Sequence, residues 1–201
     1  MTPATPRETL IFTIAQLLQG VRHVAVGASS PIPAAGAMLR RAMNEAAGSA
    51  PVRISILGSV KHNFFTNGSV ELFDCAGQGR IDAFFLGASY LYFTVPRVIL
   101  FREDHTPRIF VDKVDFITAP GTSPDGVHRS GGPYALLTGL GLFDFDASRP
   151  GFRLRNIHPG HDLTEIVQAT GFTFAHDPAP PATPGPDAAP LALLRGRVLH
   201  D

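Results

Sequence analysis

The stretch that decides the fold is His23-Val-Ala-Val-Gly-Ala-Ser-Ser-Pro-Ile-Pro33. Its first five residues form a short, continuously apolar run, which is typical of a strand buried on both faces of a parallel sheet. A tight loop of small residues follows, and the next periodic segment predicts a helix from Ala34 to Ala47. A strand, a loop and a helix in this order predict one unit of an α/β fold.

The flanking sequence repeats this alternation. A capping box, Thr5-Pro-Arg-Glu8, opens a predicted helix over residues 6–19. Buried strands are predicted over residues 52–57 and 81–86, with a helix over residues 69–76 between them. The first half of the chain therefore predicts a parallel sheet that helices cover on both faces.

The second half changes character, because turns separate short strand-like runs. A helix is predicted over residues 162–170, and six prolines within residues 178–190 indicate an extended strap. Residues 191–199 are expected to be helical. We therefore expect one α/β domain over residues 1–175 and a Pro-rich strap and tail over residues 176–201. The strands predicted in this half cover residues 97–101, 108–111, 114–118, 135–138, 142–145 and 152–157.

Composition narrows the classes of function. The 201 residues carry 17 Lys and Arg against 17 Asp and Glu, so the formal net charge is zero. A neutral chain lacks the basic surface that nucleic acids and anionic membranes attract, and we expect neither as a partner. Charged residues make up only 17% and hydrophobic residues 44%, which indicates a surface partly hidden against another protein.

The sequence also indicates a compartment. It contains no predicted membrane span and no pattern typical of a signal peptide, so a cytoplasmic location is expected. The single cysteine, Cys75, excludes an internal disulfide and suits a reducing compartment. Its apolar neighbours on a predicted helix favour a small core residue over a nucleophile.

The candidate substrate- and oxyanion-binding site combines two segments that follow predicted strands. The first is a loop of small residues before a helix amino terminus, whose N–H groups and positive dipole end suit a phosphate, a carboxylate or an oxyanion. The second begins the polar run after the next strand, at the sheet edge where ligands bind in doubly wound folds. A tight connection that binds nothing remains the alternative. The two segments are Gly27, Ala28, Ser29 and Ser30, and Leu57, Gly58 and Ser59.

No metal site is expected from the sequence. His158 and His161 flank a Pro-Gly turn, and no carboxylate cluster lies near them in the sequence. The acids near the predicted strand ends, among them Glu103 and Asp104, are interpreted as solvated charges.

Several runs carry a resemblance to a known family. Besides the opening stretch they are Gly79-Arg-Ile-Asp-Ala-Phe-Phe-Leu-Gly87, Val111-Asp-Lys-Val-Asp-Phe-Ile-Thr-Ala-Pro-Gly121, Leu137-Thr-Gly-Leu-Gly-Leu-Phe-Asp-Phe145, His158-Pro-Gly160 and residues 164–172. In this order they resemble the beta subunit of two-subunit class I CoA-transferases of the glutaconate type, over about residues 8–175. The family includes a branch of ring-cleaving CoA hydrolases.

The resemblance implies a fold, a partner and a substrate. The fold is a three-layer α/β/α CoA-transferase-like domain with a mostly parallel central sheet, and we expect additional short strands in the second half. The implied partner is a homologous alpha subunit. The implied substrate is a coenzyme A thioester, with no permanently bound cofactor.

Two departures from the family pattern affect the implied reaction. In the transferases a glutamate near the end of the second strand carries CoA as a thioester, and aligning the strand ends places Leu57 there. Leucine cannot act as a nucleophile, and the nearest acid downstream, Glu71, is predicted to lie on a helix. A segment that usually follows the third strand is missing after Leu86.

The resemblance therefore implies a beta subunit that acts on acyl-CoA thioesters together with an alpha subunit, with acid–base groups supplied by that partner. A carbon–carbon bond hydrolase of the ring-degradation type remains a second interpretation, because it needs no glutamate nucleophile. A non-catalytic scaffold subunit remains a third.

Overall fold

Eight strands form one sheet with helices on both faces, in a computed structural model that describes residues 2–62, 68–85, 89–146, 148 and 151–200. Across these ranges no helix combines the length and the apolar character that a bilayer crossing needs. The helices are α1 (Pro6–Leu17), α2 (Pro31–Ala46), α3 (Gly68–Gly77), α4 (Ser89–Thr94), α5 (Leu163–Ala169) and α6 (Ala188–Leu193). The strands are β1 (His23–Val26), β2 (Arg53–Ile56), β3 (Ala83–Phe85), β4 (Arg97–Arg102), β5 (Gly132–Thr138), β6 (Gly141–Phe145), β7 (Phe152–Ile157) and β8 (Ala175–His176).

The sheet is mostly parallel, in the order β2-β1-β3-β4-β5-β6-β7-β8. The first five strands pair in parallel, β6 is antiparallel to β5 and β7, and β8 is parallel to β7. The chain moves from β1 outward to β2, and later from β3 outward to β4 in the opposite direction. The winding therefore reverses between β1 and β3, and ligands of doubly wound sheets bind at the carboxyl ends of strands at such a point.

Apolar side chains fill the space on both sides of the sheet. On one face α1 and α2 cover β1, and the chain returns there at its end with Leu194 and Val198. Gly36 of α2 lies so close to Ile14 of α1 that the space admits no larger residue. The α3 and α4 helices cover the other face of β1 and β3, and α5 covers the face of β5 to β7. The predicted three-layer α/β class is confirmed.

Two of the predicted strands, over residues 108–111 and 114–118, are wrong. Residues 103–131 contain neither helix nor strand. The β4 and β5 strands that flank this segment pair directly with each other, so no strand edge is open for it. Apolar residues in the segment are divided between burial, as for Phe110, and exposure, as for Phe116.

Other helix and strand boundaries differ from the predicted ones for local reasons. The α2 helix begins at Pro31, three residues before the predicted start, because proline fits the first turn, where backbone N–H groups need no partner within the helix. The short elements α4 and β8 are absent from the sequence prediction. The helical prediction for residues 191–199 is confirmed in part, since α6 continues into a π-helical turn over Leu194–Val198.

The Pro-rich strap runs along β7, where Ala182 bridges Ile157 in parallel. Its buried Thr183 lies 2.8 Å from His158 Nδ1, and His158 Nε2 lies 2.9 Å from the carbonyl oxygen of Thr138. A carbonyl only accepts, so Nε2 carries the proton and donates it, and the Thr183 hydroxyl donates to Nδ1. The neutral imidazole ties the strap to the sheet, while the division into residues 1–175 and 176–201 stays a prediction.

Candidate functional site

The loop between β1 and α2 presents backbone donors at the carboxyl edge of the sheet. Gly27 still belongs to the ladder, because its N–H donates to the carbonyl oxygen of Phe85 at 3.0 Å. This donor is therefore not free for a ligand, contrary to the sequence prediction. Ala28 and Ser29 are exposed, and the N–H groups of residues 28–30 bind no other group in the described part of the chain. Three donors therefore have no acceptor among the described residues.

Ser29 has the unusual backbone conformation of this loop. Its φ of 56° lies in the left-handed region, where a residue with a Cβ is strained by about 1–2 kcal/mol. Residues held in this way cluster at ligand-binding sites, where the surrounding structure imposes the conformation. This conformation turns the chain between the end of β1 at Val26 and the start of α2 at Pro31.

The amino terminus of α2 is not capped by a side chain. Ser30 occupies the N-cap position, but its hydroxyl donates to the carbonyl oxygen of Ala28 at 3.3 Å and makes no capping bond. Pro31 and Pro33 have no N–H, so Ile32 supplies the donor of the first turn, and no acidic side chain lies there. The positive end of the helix is therefore left for an anion from outside the chain.

The second predicted segment lies beside the first, because β2 pairs with β1. The Leu57 N–H donates to the last carbonyl of β1 at 2.9 Å, and Ser59 N–H closes a turn to Ile56 at 3.0 Å. Gly58, with φ of 81°, takes the position in this turn that requires glycine-like freedom. The Ser59 hydroxyl accepts the N–H of His62 at 3.0 Å, so it holds the turn together.

Leu57 is half-buried at the margin of the apolar cluster under α3 and α4. Ile54 is buried, as expected for a residue inside the strand, but Ile56 is half-buried as well. The expected contrast between Leu57 and the strand residues therefore holds for Ile54 only. Glu71 lies in the first turn of α3, which confirms its helical placement.

A cavity of about 320 Å³ adjoins the loop after β1. It lies between the start of α2 and the end of β4, and the Leu57–Ser59 turn does not line it. Sequence reasoning missed its charged wall, although the rule for strand ends applies equally to β4. The polar and charged residues that line it are Ser29, Ser30, Arg102, Glu103 and Asp104.

The charged wall adds side-chain charges to the backbone donors of the loop. Arg102 is an exposed residue that lines the cavity, and it makes no ion pair with any described residue. Glu103 and Asp104 are exposed, as predicted for solvated charges, yet they lie on the same cavity as Ser29. The backbone donors and the cation suit the binding of an anionic group or a carbonyl oxygen that gains charge, and the two carboxylates limit how much negative charge the cavity accepts.

Part of the predicted site lies outside the described residues. This concerns Asn63, the last residue of the polar run that continues the second predicted segment. Residues 86–88, which follow β3, also lie outside the described residues. The missing family segment, expected after Leu86, falls in the same place.

The remaining candidates have structural roles. Cys75 is 2% exposed in the core, as predicted. His158 binds the strap, and His161 Nδ1 lies 2.9 Å from Glu165 Oε2. Over the residues that the structure describes, no three His, Cys, Asp or Glu side chains come together as a metal site would require.

Curated relatives resemble part of the chain. It is 30% identical over 104 residues to the B-type subunit of 3-oxoadipate CoA-transferase from Pseudomonas knackmussii, which is 49% of this chain and 39% of that protein. Identity is 29% over 101 residues to the B-type subunit of glutaconate CoA-transferase from Acidaminococcus fermentans, 47% of this chain and 38% of the relative. The chain is also 30% identical over 95 residues to the IpdB subunit of the cholesterol ring-cleaving hydrolase from Rhodococcus jostii. The aligned region is 45% of this chain and 38% of that protein. No protein-family profile matches the chain.

Solved structures share the whole fold. The decarboxylase AibA/AibB superimposes with a TM-score of 0.78 at 23% identity, over 98% of this chain and 95% of that one. Glutaconate CoA-transferase of A. fermentans superimposes with a TM-score of 0.76 at 18% identity, over 96% and 94%. The aligned regions with the curated relatives span only about two fifths of those proteins, whereas the structural match covers nearly all of both chains.

Proposed function

We propose that this chain, a homologue of the B-type subunits of CoA-transferases and of a ring-cleaving hydrolase, is the corresponding subunit of a heteromeric enzyme acting on acyl-CoA thioesters. One observation carries the proposal: the uncapped amino terminus of α2 and the free N–H groups of residues 28–30 lie together at the carboxyl edge of the sheet. There they would bind the thioester oxygen as it gains negative charge. Arg102 would bind a second anionic group of the acyl-CoA.

The partner in this proposal is an alpha-type subunit. The relatives are named as subunits, and the structural neighbour AibA/AibB pairs two chains by its name. The irregular segment between β4 and β5 supports the same conclusion, because a long loop with exposed apolar side chains is typical of a binding surface. Phe116 is 80% exposed and Ile117 64% exposed.

Leu57 limits the reaction that this chain supports. A side chain without a carboxylate cannot carry CoA as a thioester, so the covalent route of a transferase would need its nucleophile from elsewhere. Hydrolysis of a carbon–carbon bond next to the thioester uses water as its nucleophile, so it needs no CoA-carrying carboxylate on this chain. The donors of the loop would stabilise the charge on the oxygen. The partner would supply the base that activates the water and the acid that protonates the leaving carbon. A hydrolase related to the ring-cleaving relative is therefore the second candidate, and a scaffold is the third.

A cytoplasmic location belongs to the proposal. Cys75 is a free thiol, which suits a reducing compartment.

We expect Ser29→Leu, in the complex with the alpha-type partner, to weaken binding of acetyl-CoA by at least about tenfold. Leucine would cover the free N–H groups of the loop and would be strained at φ of 56°. Titration calorimetry measures the effect. Ser29→Gly is the matched control: it should keep the affinity and raise the thermal midpoint, because glycine relieves the strain.

Unchanged affinity of a folded Ser29→Leu complex would exclude this loop as the thioester site. Loss of affinity in Ser29→Gly as well would assign the serine hydroxyl, not the backbone, as the binding group.

We expect Leu57→Glu to fold and to gain a trace of covalent thioester on this chain. Leu57 is half-buried at the sheet edge, so a carboxylate there can reach solvent. The assay adds acetyl-CoA to the complex, traps with hydroxylamine or borohydride, and locates the label by mass spectrometry. Leu57→Gln, of the same size without a nucleophile, is the control and should give no label.

Two results would contradict this prediction. A label on the wild-type chain would show a nucleophile other than Leu57. Loss of several kcal/mol of stability in Leu57→Glu, the size expected for an unpaired buried carboxylate, would place Leu57 in the core.

A further inference from the structure

A second and larger cavity, of about 680 Å³, lies over the face of the sheet on which α1 packs. Its walls are α1, the strands β4 to β7 and the Pro-rich strap, and it shares no lining residue with the cavity next to Ser29. The volume is within the range of small-molecule sites, about 300–1,000 Å³. The proposed reaction leaves this cavity without a role.

A β-bulge aims the first of its side chains into the cavity. Val98 and Ile99 of β4 pair with Pro133 and Ala135 of β5, so Tyr134 is an extra residue on its strand. An extra residue disturbs the alternation of faces and redirects a side chain, and bulges of this kind are frequent next to binding sites. Tyr134 lines the cavity and is 39% exposed.

A second bulge, between β6 and β7, directs another side chain into the cavity. Leu142 and Phe143 of β6 pair with Asn156 and Leu154 of β7, so Arg155 is the extra residue. Arg155 and Asn156 are consecutive, yet both line the cavity. Two independent irregularities of the sheet therefore supply side chains to one cavity.

Two guanidinium groups give the cavity its positive charge. Arg97 donates from Nη1 to the carbonyl oxygen of Gln19 at 3.1 Å and lies over the ring of Tyr134, 5.1 Å from its centroid. Arg155 Nη1 lies 3.5 Å from Asp144 Oδ1. A guanidinium has five N–H donors, so both arginines keep donors for a ligand. Their planar shape matches a carboxylate.

The other walls define the remainder of the ligand. Phe12, Leu17 and Leu142 provide an apolar surface, and Gln16 adds an amide. Asp187 also lines the cavity, which disfavours a ligand with several negative charges. We propose that the cavity binds a small organic monoanion, in which one carboxylate is attached to an aromatic or aliphatic body.

The strap completes the site. Thr183, Pro184 and Gly185 form its outer wall, and the hydrogen bond between Thr183 and His158 fixes the strap to the sheet. Binding of the ligand should therefore also stabilise the strap against the sheet, by mass action on the folded form.

The test uses the full-length chain with 2-naphthoate and octanoate as probes and 2-naphthamide as the neutral counterpart. We expect calorimetry to show binding of both carboxylates, with at least about tenfold weaker binding of the amide. Arg155→Gln should weaken the binding of 2-naphthoate to a similar degree. Arg153→Gln is the matched control, since Arg153 lies on the same strand, pairs with Asp177 and does not line the cavity.

Equal binding of 2-naphthoate and 2-naphthamide would overturn the proposal, because the arginines would then play no part. No heat with either carboxylate would also overturn it. So would an equal loss of affinity in Arg153→Gln and Arg155→Gln. Thermal midpoints of both variants establish that they are folded.

Discussion

Acidification from about pH 6.5 to about pH 4 is expected to lower the free energy of unfolding by several kcal/mol. The two largest contributions to this loss come from His105 at 8% and His158 at 5% exposure. Both imidazoles make hydrogen bonds with both ring nitrogens. A proton added to either ring introduces a charge into a site that is largely shielded from water.

The sign follows from the linkage between protonation and folding. Unfolded histidines bind protons near the ordinary pKa of 6.5, whereas burial lowers the pKa of His105 and His158 to about 4 in the folded chain. Asp104 and Glu165 act against the shift of the His105 pKa without reversing it. The stability that these groups contribute is present above about pH 6.5 and is lost as the pH falls toward 4. Each shift corresponds to roughly 3 kcal/mol.

Urea unfolding at a series of pH values measures the effect. His158→Gln should remove a large part of the pH dependence, because His105 and the buried His23, whose pKa burial also lowers, supply the remainder. His128→Gln is the control, since His128 is exposed. An unchanged pH dependence in His158→Gln would contradict the prediction and would assign the acid lability to other groups.

The first half of the fold is predictable because its signals are local. The apolar run from His23 to Val26 is buried on both faces, and the capping box of Thr5 and Glu8 forms as the sequence indicates. The capping box acts within one helical turn. The continuous apolar run predicts a central strand because β2 and β3, which flank β1, carry the same kind of run and supply its neighbours.

The second half is less predictable because a strand needs a neighbour. Residues 114–118 have a composition typical of a strand, but β4 and β5 pair with each other and leave no edge for them. The same limit applies to the bulges at Tyr134 and Arg155, which arise from the register between strands. No pattern within a single strand encodes that register.

In the candidate site, too, local features are predictable and features that depend on strand pairing are not. The loop of Ser29 is visible in the sequence because small residues precede a helix start. The association of Ser29 with Arg102 depends on the position of β4 relative to α2. Even the loss of the Gly27 donor follows from the pairing of β1 with β3, which is a property of the sheet as a whole.

Replacement of both Phe116 and Ile117 with aspartate is expected to weaken the complex with the alpha-type partner by more than about 100-fold, equivalent to about 3 kcal/mol. The two side chains are 80% and 64% exposed, so the double variant should fold as the wild type does. In the complex they would be buried, and an unpaired carboxylate in an apolar interface is strongly unfavourable. Size-exclusion chromatography and calorimetry with the partner measure the loss.

Val167→Asp is the matched control, because Val167 is a 48% exposed valine on α5, outside the segment between β4 and β5. It should leave the affinity unchanged. Full affinity in the double variant would mean that the apolar segment faces solvent in the complex, and the partner would then bind another face. If the control lost affinity equally, the interface would extend to α5. Loss of affinity in the double variant alone would show that the partner covers the irregular segment between β4 and β5. This segment pairs with no strand of its own sheet, so its exposed apolar side chains are available for such a contact.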